Sequence, residues 1–519
     1  MKFKNILYTA TLAALMISVG ACKKDKFDIN QNPDDVTDVS VSPSVLLPGA
    51  LQTTAGIVAA DFVHLQMWMG YWARSGSYQS LTDIETYQFT NDFQVQVWND
   101  LYSNANAYDL MQKKAAATGQ GFYNAVGRIM RAHNFGLLVD TYGNIPYFEA
   151  FRRSEVPTPK YDKGADIYAD LFKQLDTAIT LLKNADTVTT ALNPDKATAD
   201  FVYSGNAASW AKFANTLRLR LLMHLHNGMN TTTVVPGFDV AAIASAIQSE
   251  PLMGAGESAH MNPGFSGSKP QPYYRFYNTN ESGSGSQRDH IRANEYAIDY
   301  YKLNGDERIN RFYVSPGGTT TTHKGIPFGT PSGDQDLIGS KLSTVRGPGL
   351  SPNGANSRAW IMTSVESLFL QAEARHRGVL TSGPTASALL TAAIQESFVW
   401  LGLSTAQANT YIANNATWPD VDYTAAGGGI FTIMSQKWFA MNSIAPFETW
   451  SDYRRTDYVL GTPVGYDPGP PLSVDPGRTA TSIPRRLLYP QNEYNYNAAN
   501  VAGEGTVNVF TGKVFWDLN

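Results

Sequence analysis

Apolar positions recur three or four residues apart through most of the chain. The clearest case is 206–227, where Trp210, Phe213, Leu217, Leu221 and Leu225 fall on one stripe. That period predicts a helix with a buried stripe, with Lys212, Arg218 and Arg220 on its other faces and Gly228 as a left-handed stop. Within 122–139, Val126, Ile129, Met130 and Leu137 make a second stripe, and His133 lies on it as a hydrogen-bonded core residue rather than a ligand. Similar patterns predict helices over 62–72, 93–114, 165–182, 240–248, 290–301, 365–376, 386–401 and 430–441, whereas strand-like runs are few and short. Between the helices lie stretches rich in Gly, Pro, Ser and Thr at 254–286, 315–352, 423–429 and 461–483. Loops of such length usually carry function, and their backbone groups need partners, so short hairpins are expected in some of them. The expected fold class is mostly α with a loop-rich remainder containing short hairpins; helix pairs joined by short turns stack like tetratricopeptide repeats, but the spacings here are irregular and no repeat of ~34 residues can be read.

The start of the chain follows a different pattern. Lys2 and Lys4 precede an uncharged run over 5–21 whose apolar centre is shorter than the ~20 residues of a membrane span, which reads as an export signal. The run ends Ser18-Val19-Gly20-Ala21-Cys22, similar to the lipobox at which a bacterial lipoprotein is cleaved and acylated, and Cys22 is the single cysteine. The domain reading is therefore 1–21 as lipoprotein signal peptide, 22–44 as lipidated N-terminus and tether, and 45–519 as one helical module. No later segment offers ~18 consecutive apolar residues, so a lipid on Cys22 is the expected anchor. Each buried acyl methylene contributes ~0.8 kcal/mol, enough for two or three chains to hold a protein on a membrane. In the tether, Asp28, Asn30, Asn32 and Asp34 imitate the first ligands of a calcium loop, but Pro33 and Val39 occupy the positions that need Gly and Glu.

Composition narrows the function classes. Lys and Arg number 40 and Asp and Glu 45 in 519 residues, a formal charge of −5 and a charged fraction of 16%, below the usual ~25%, which argues against nucleic-acid binding and against disorder. Tyr, with 27 residues, outnumbers Phe and Trp, and the excess is expected at a surface or in a groove. No His-Glu-x-x-His, phosphate-cradling or nucleophile-elbow motif is present, and His224 and His226, two apart on a helix, point to different sides. The run Gly254 to Ala259 fits a loose dinucleotide fingerprint but follows a helical stretch instead of a strand. A glycosidase pair assembled from distant segments leaves no local signature; Glu85, Glu295, Asp299 and Glu366 are available carboxylates, and sequence promotes none of them. Accordingly no catalytic residue, metal ligand or cofactor is assigned, and a calcium ion bracing a loop stays an open alternative.

Two aromatic clusters are more informative. Trp68, Tyr71, Trp72, Arg74, Tyr78, Tyr87 and Phe89 crowd together among Ser, Gln, Thr and Asn, and Tyr273-Tyr274-Arg275-Phe276-Tyr277 precedes Asn278, Asn280 and Arg288. Sugar rings have a face of C–H groups and a rim of hydroxyls, so a glycan site needs flat aromatic faces beside amide, guanidinium and carboxylate partners. Candidate ligand contacts are Trp72, Arg74, Tyr78, Tyr87, Tyr273, Tyr274, Arg275, Tyr277 and Arg288. The competing reading makes Trp68 and Trp72, four apart on a helix, simple core residues.

Several segments, in order along the chain, resemble one family. The lipobox, Asn30 to Asp34 and Pro43-Ser44-Val45-Leu46-Leu47-Pro48-Gly49-Ala50-Leu51 are similar to the start of SusD/RagB-like nutrient-binding outer-membrane lipoproteins of Bacteroidetes. Asp140 to Ala150 resembles that family's fGdiPy-x-eA segment, Lys212 to Arg220 its K-x-x-N-x-L-R-x-R helix, Glu366 to Gly378 its helix ending A-E-A, and Ile483 to Glu493 its closing iP-x-R-x-x-yP-x-x-E stretch. The resemblance implies a mostly helical body with tetratricopeptide-like helix pairs, in a non-catalytic lipoprotein of the outer membrane, facing the cell exterior, that binds an oligosaccharide or a peptide. It also implies a partner, a SusC-type TonB-dependent transporter over which such a lipoprotein sits as a lid. Members shown at the cell surface often carry acidic residues after the lipid cysteine, whereas Lys23, Lys24 and Lys26 surround Asp25 here. Two other classes stay in view: a tethered glycan hydrolase, and a structural lid that binds no nutrient itself.

Overall fold

Between Gly164 and Lys183, Ile167, Leu171, Leu175, Ala178 and Leu182 are buried on one side while Lys173, Asp176 and Thr177 face solvent. The same rule builds most of the molecule. The computed structural model describes residues 41–152, 155–229, 233–278, 287–319, 322–350, 354–456 and 470–519. The export signal, Cys22, the tether's calcium-loop imitation and part of the loops at 254–286, 315–352 and 461–483 lie outside the described residues. In chain order the main elements are α1 (Pro43–Ala60), α2 (Val63–Trp68), β1 (Trp72–Arg74), α3 (Val95–Ala117), α4 (Gly121–Tyr142), α5 (Gly164–Lys183), α6 (Ala207–His224), β2 (His226–Asn227) and β3 (Thr233–Val234). They continue as α7 (Val240–Gln248), β4 (Ala259–Met261), α8 (Pro272–Asn278), β5 (Ile291–Ala293), α9 (Glu295–Leu303), β6 (Tyr313–Val314), β7 (Thr344–Val345) and β8 (Ala359–Met362). The last are α10 (Ser364–His376), α11 (Ala386–Trp400), α12 (Thr405–Asn414), α13 (Ile430–Met441) and α14 (Pro446–Thr456).

The fold is mostly α. Neighbouring helices pack in succession, α3 on α4, α4 on α5 and α5 on α6, then α6 on α10, α10 on α11 and α11 on α12. The short strands form a four-stranded antiparallel sheet of order β1-β5-β7-β6, with Trp72 opposite Ala293 and Arg74 opposite Ile291, and two-stranded pairs β2-β3 and β4-β8. In the last pair a bulge between Ala259 and His260 sets His260 opposite Trp360.

The inner side of α1 is pinned by polar contacts in the core. Thr54 Oγ1 lies 2.8 Å from Asn104 Oδ1 and 2.7 Å from the Tyr108 hydroxyl, and Asn104 Nδ2 donates to the Ala50 carbonyl at 2.9 Å. Leu47, Leu51 and Ile57 bury beside them. By length and mean hydropathy, 1.3, the helical stretch Pro43–Trp68 matches a membrane span, yet Gln52, Thr53 and Thr54 interrupt it and its apolar inner side belongs to the protein core.

Three expectations need correction. Trp72 does not share a helix with Trp68: α2 ends at Trp68, Gly70 takes φ +77°, and Trp72 opens β1. Much of the Tyr excess is buried rather than exposed, and several of the buried hydroxyls find backbone partners. Tyr71 donates to the Trp438 carbonyl at 2.7 Å, Tyr301 to the Phe439 carbonyl at 2.7 Å and Tyr313 to the Tyr71 carbonyl at 2.8 Å. Arg218 and Arg220 are buried as well, since α6 is flanked by α5, α7 and α10, and α6 stops at His224 before reaching Gly228.

The family-like K-x-x-N-x-L-R-x-R run is thereby explained as a set of interhelix pins. Asn215 Nδ2 donates to the carbonyls of Ile247 and Glu250 at 3.0 and 2.9 Å, Arg218 pairs with Asp176, and Arg220 meets Glu366 at 2.6 Å and Glu448 at 3.3 Å. His224 continues the chain of charges, 3.0 Å from Asp140 and 3.3 Å from Glu448. Burial alone would discharge the His224 ring, but Asp140 and Glu448 outweigh it and raise its pKa to about 9. An unfolded histidine titrates near ~6.5, so this group's contribution to stability is complete below that pH and is lost as pH rises through about 9. The thermal midpoint is expected to fall over that window, and His224→Gln should flatten the slope. An unchanged slope in the variant would place the alkaline sensitivity elsewhere. His133, on α4, is buried beside Asn134, and burial lowers its pKa to about 4, consistent with a neutral core ring.

Candidate functional site

The outer side of α1 presents Gly49, Gln52, Thr53, Gly56 and Ala60, small or short polar residues at helical spacing. Opposite them stand Phe265, Pro270 and, from α8, Pro272, Arg275 and Phe276, with Gln287 closing one end. Between the two walls is a cleft of about 680 Å³. Phe276 is half-buried and Arg275 is exposed, so the cleft combines apolar ring surface with guanidinium, amide and hydroxyl groups. Among the described residues its lining holds no carboxylate. A Cβ added at Gly49 or Gly56 would meet no atom within 4 Å, so both glycines open onto free space.

The helical turn Gln287–His290 extends the rim. Arg288 is exposed, donates to Asn278 Oδ1 at 3.3 Å and lies 3.8 Å from Asp289. Beside it Tyr78, half-buried, stacks on His290 with ring centroids 3.9 Å apart. Tyr274 is also half-buried, its ring within 3.4 Å of the Cβ position of Gly354. Thus Tyr78, Tyr274, Arg275 and Arg288 keep accessible surface in the region of α8 and the turn that follows it.

The remaining candidates are buried. Trp72 donates from Nε1 to Ser443 Oγ at 3.1 Å and packs against Tyr277. Arg74 pairs with Glu85 at 3.0 Å and donates to the carbonyls of Tyr78 and Thr330, so its guanidinium is engaged within the protein. Tyr87 is 2% exposed, and its hydroxyl accepts from the Ser473 amide at 3.3 Å. Tyr273 packs on Trp360, and the Tyr277 hydroxyl accepts from the Val345 amide at 3.2 Å. The physical reason is that 254–286 is not loop throughout: α8 gives the aromatic run an inner face, Tyr273 and Tyr277, and an outer one, Arg275 and Phe276. In this conformation the rings of Trp72, Tyr87, Tyr273 and Tyr277 are covered by protein.

Gln52, Thr53, Gly56 and Phe265 were not singled out from the sequence. The available signal was the small-residue spacing 49, 53, 56 and 60, which also suits close helix packing and so does not distinguish a cleft. Among the carboxylates available to a hydrolase, Glu85 and Glu366 are committed to Arg74 and Arg220, while Glu295 and Asp299 share α9, where burial raises both pKa values and Asp299 raises that of Glu295 further. Among the described residues no group of three or more His, Cys, Asp or Glu is gathered to hold a metal ion.

Comparison with known proteins gives a consistent match. A SusD-like family model described as "Starch-binding associating with outer membrane" matches residues 33–490. A chitin-binding SusD homologue from Flavobacterium johnsoniae is 25% identical, with a TM-score of 0.69 over 91% of this chain and 99% of its own. Another chitin-binding protein, 22% identical, superposes with a TM-score of 0.71 over 92% of this chain and all 100% of its own. A SusD homologue from Bacteroides fragilis is 22% identical, with a TM-score of 0.69 over 92% and 99% of the two chains. No curated protein matches the sequence.

Proposed function

The chain belongs to the SusD-like family of starch-binding proteins associated with the outer membrane, and from that premise we propose that it binds an oligosaccharide in the cleft between α1 and α8. The observation that carries this reading is the cleft's composition: the half-buried Phe276 and Phe265 offer ring surface, and Arg275, Gln52, Thr53 and Gln287 offer polar partners for sugar hydroxyls. The chitin-binding proteins of the same fold support a glycan as the cargo. The protein is then a lipoprotein held through Cys22 on the outer membrane and exposed at the cell surface, and it hands its cargo to a SusC-type TonB-dependent transporter. It acts as a binder and not as a hydrolase, a reading supported by the commitment of Glu85 and Glu366 to buried arginines.

A delivery protein has to release what it holds. Ring-stacking contacts contribute about 0.5–1.5 kcal/mol each beyond burial, so two of them with hydrogen bonds give roughly micromolar to millimolar affinity. Titration with maltotriose, chitotriose and a neutral tripeptide tests the reading. Saturable binding of a saccharide, weakened about tenfold in Phe276→Ala or Arg275→Ala, is the expected outcome. Binding of the tripeptide alone would assign the cleft to a peptide cargo instead.

A further inference from the structure

A second cleft, of about 390 Å³, opens where the end of α11 meets the β4-β8 pair. One wall is aromatic. Trp400, half-buried, lies parallel to His260 with ring centroids 5.9 Å apart and edge-on to Trp360 at 5.7 Å. Its Nε1 donates to Ser258 Oγ at 3.2 Å, which fixes the ring. The other wall is cationic, with Arg311 and Arg358 in the lining. Arg311 is held by donation to the Gly402 carbonyl at 3.0 Å, and Arg358 is exposed.

The charge balance is one-sided. Among the described residues no Asp or Glu lines this cleft, and neither Arg311 nor Arg358 forms an ion pair with a carboxylate. Elsewhere Arg74, Arg220, Arg308 and Arg455 are matched by acids, while Arg292 and Arg375 spend their donors on backbone carbonyls. The cleft therefore couples an immobilised indole face to two uncompensated guanidinium groups. A ring with a C–H face and an attached anion satisfies both, because arginine pairs with carboxylate and sulfate oxygens in a planar, directional way. Burial, with Arg358 adding to it, lowers the pKa of His260 to about 4, so the ring stays neutral at physiological pH and the positive charge rests on the arginines.

We propose that this cleft is a second saccharide site, selective for an acidic sugar unit, a uronate or a sulfated ring, stacked on Trp400 with its anion on Arg358 and Arg311. The inference goes beyond the cleft beside α1 and does not rest on it. Trigalacturonate and a heparin-derived tetrasaccharide serve as the carboxylate and sulfate probes, with chitotriose and a tetraglutamate peptide as neutral and non-sugar controls, all titrated into the full chain. At least one acidic saccharide is expected to bind, weakened about tenfold by Arg358→Gln and by Trp400→Ala, and weakened further by added salt. Which of the two binds separates the carboxylate from the sulfate source. Arg358 is exposed, so Arg358→Gln keeps the test valid even if Trp400→Ala disturbs folding. Phe276→Ala should leave the acidic saccharide unaffected, and Arg358→Gln should leave chitotriose unaffected, so failure of either site is visible separately. Three results overturn the proposal: no binding of either acidic saccharide, equal binding to Arg358→Gln, or equal binding of tetraglutamate, which would reveal charge attraction without ring recognition.

Discussion

Replacing Glu373 with alanine is expected to destabilise the protein by about 3–5 kcal/mol, a large part of the ~5–15 kcal/mol that holds an ordinary domain together. Glu373 is the acid of the Ala372-Glu373-Ala374 run on α10 and is fully buried. Its carboxylate accepts from both terminal nitrogens of Arg455 at 2.6 Å and from Arg377 Nε at 2.7 Å. Burial pushes its pKa up, but Arg455 and Arg377 overcome that and hold it well below the usual carboxylate range. Removing the acid takes a carboxylate from buried Arg455, which keeps Asp452 at 2.6 Å. The cost arises from a buried cation deprived of one partner rather than from any intrinsic strength of the pair, so the double variant Glu373→Ala with Arg455→Ala should lose less than the sum of the two single losses. Urea unfolding of the four proteins measures this. Additive losses would mean that the two residues act independently.

Filling the α1 cleft should have the largest effect on binding. Gly56 sits inside a regular helix, its Cβ position touches nothing within 4 Å, and it faces the cleft. Gly56→Leu should therefore cost no stability, and can add some, because glycine inside a helix is destabilising by roughly 0.5–1 kcal/mol relative to alanine. The new side chain occupies space across from Phe276, and saccharide affinity should fall by more than about tenfold while the thermal midpoint is kept or raised. Gly127 provides the contrast. A Cβ there would lie 3.0 Å from the Tyr108 carbonyl and from Gln112 Cβ where α3 and α4 approach closely, so Gly127→Leu should lower the midpoint. Unchanged affinity in a folded Gly56→Leu protein would remove the cleft from the binding site.

The helices were legible because burial imposes a period. Trp210, Phe213, Leu217 and Leu221 read correctly as the inward stripe of α6. The same residues gave no warning that Arg218 and Arg220 are also buried, because that depends on which helices flank α6, a fact of tertiary arrangement. The family-like segments carried the fold further than periodicity did, since their polar members are the long-range pins between helices. The site was less legible. Trp72 finds its hydrogen-bond partner at Ser443 and Tyr87 at Ser473, both hundreds of residues away in sequence, so no local pattern could show that these rings are enclosed. At α1 the sequence showed the family-like segment correctly but gave no sign that the same uncharged helix with small residues forms one wall of the cleft. Trp400, which lines the second cleft, also escaped notice, because it is the last residue of a helix whose apolar pattern explains it as core.

Soaking crystals of the protein with maltotriose or chitotriose, whichever titrates more tightly, is the most direct check on where cargo is held. The expected map has a sugar ring against Phe276, with a hydroxyl near Arg275 and the saccharide running past Gly56. A saccharide bound elsewhere on the surface, with this space empty and solution affinity intact, would contradict the assignment of the α1–α8 cleft.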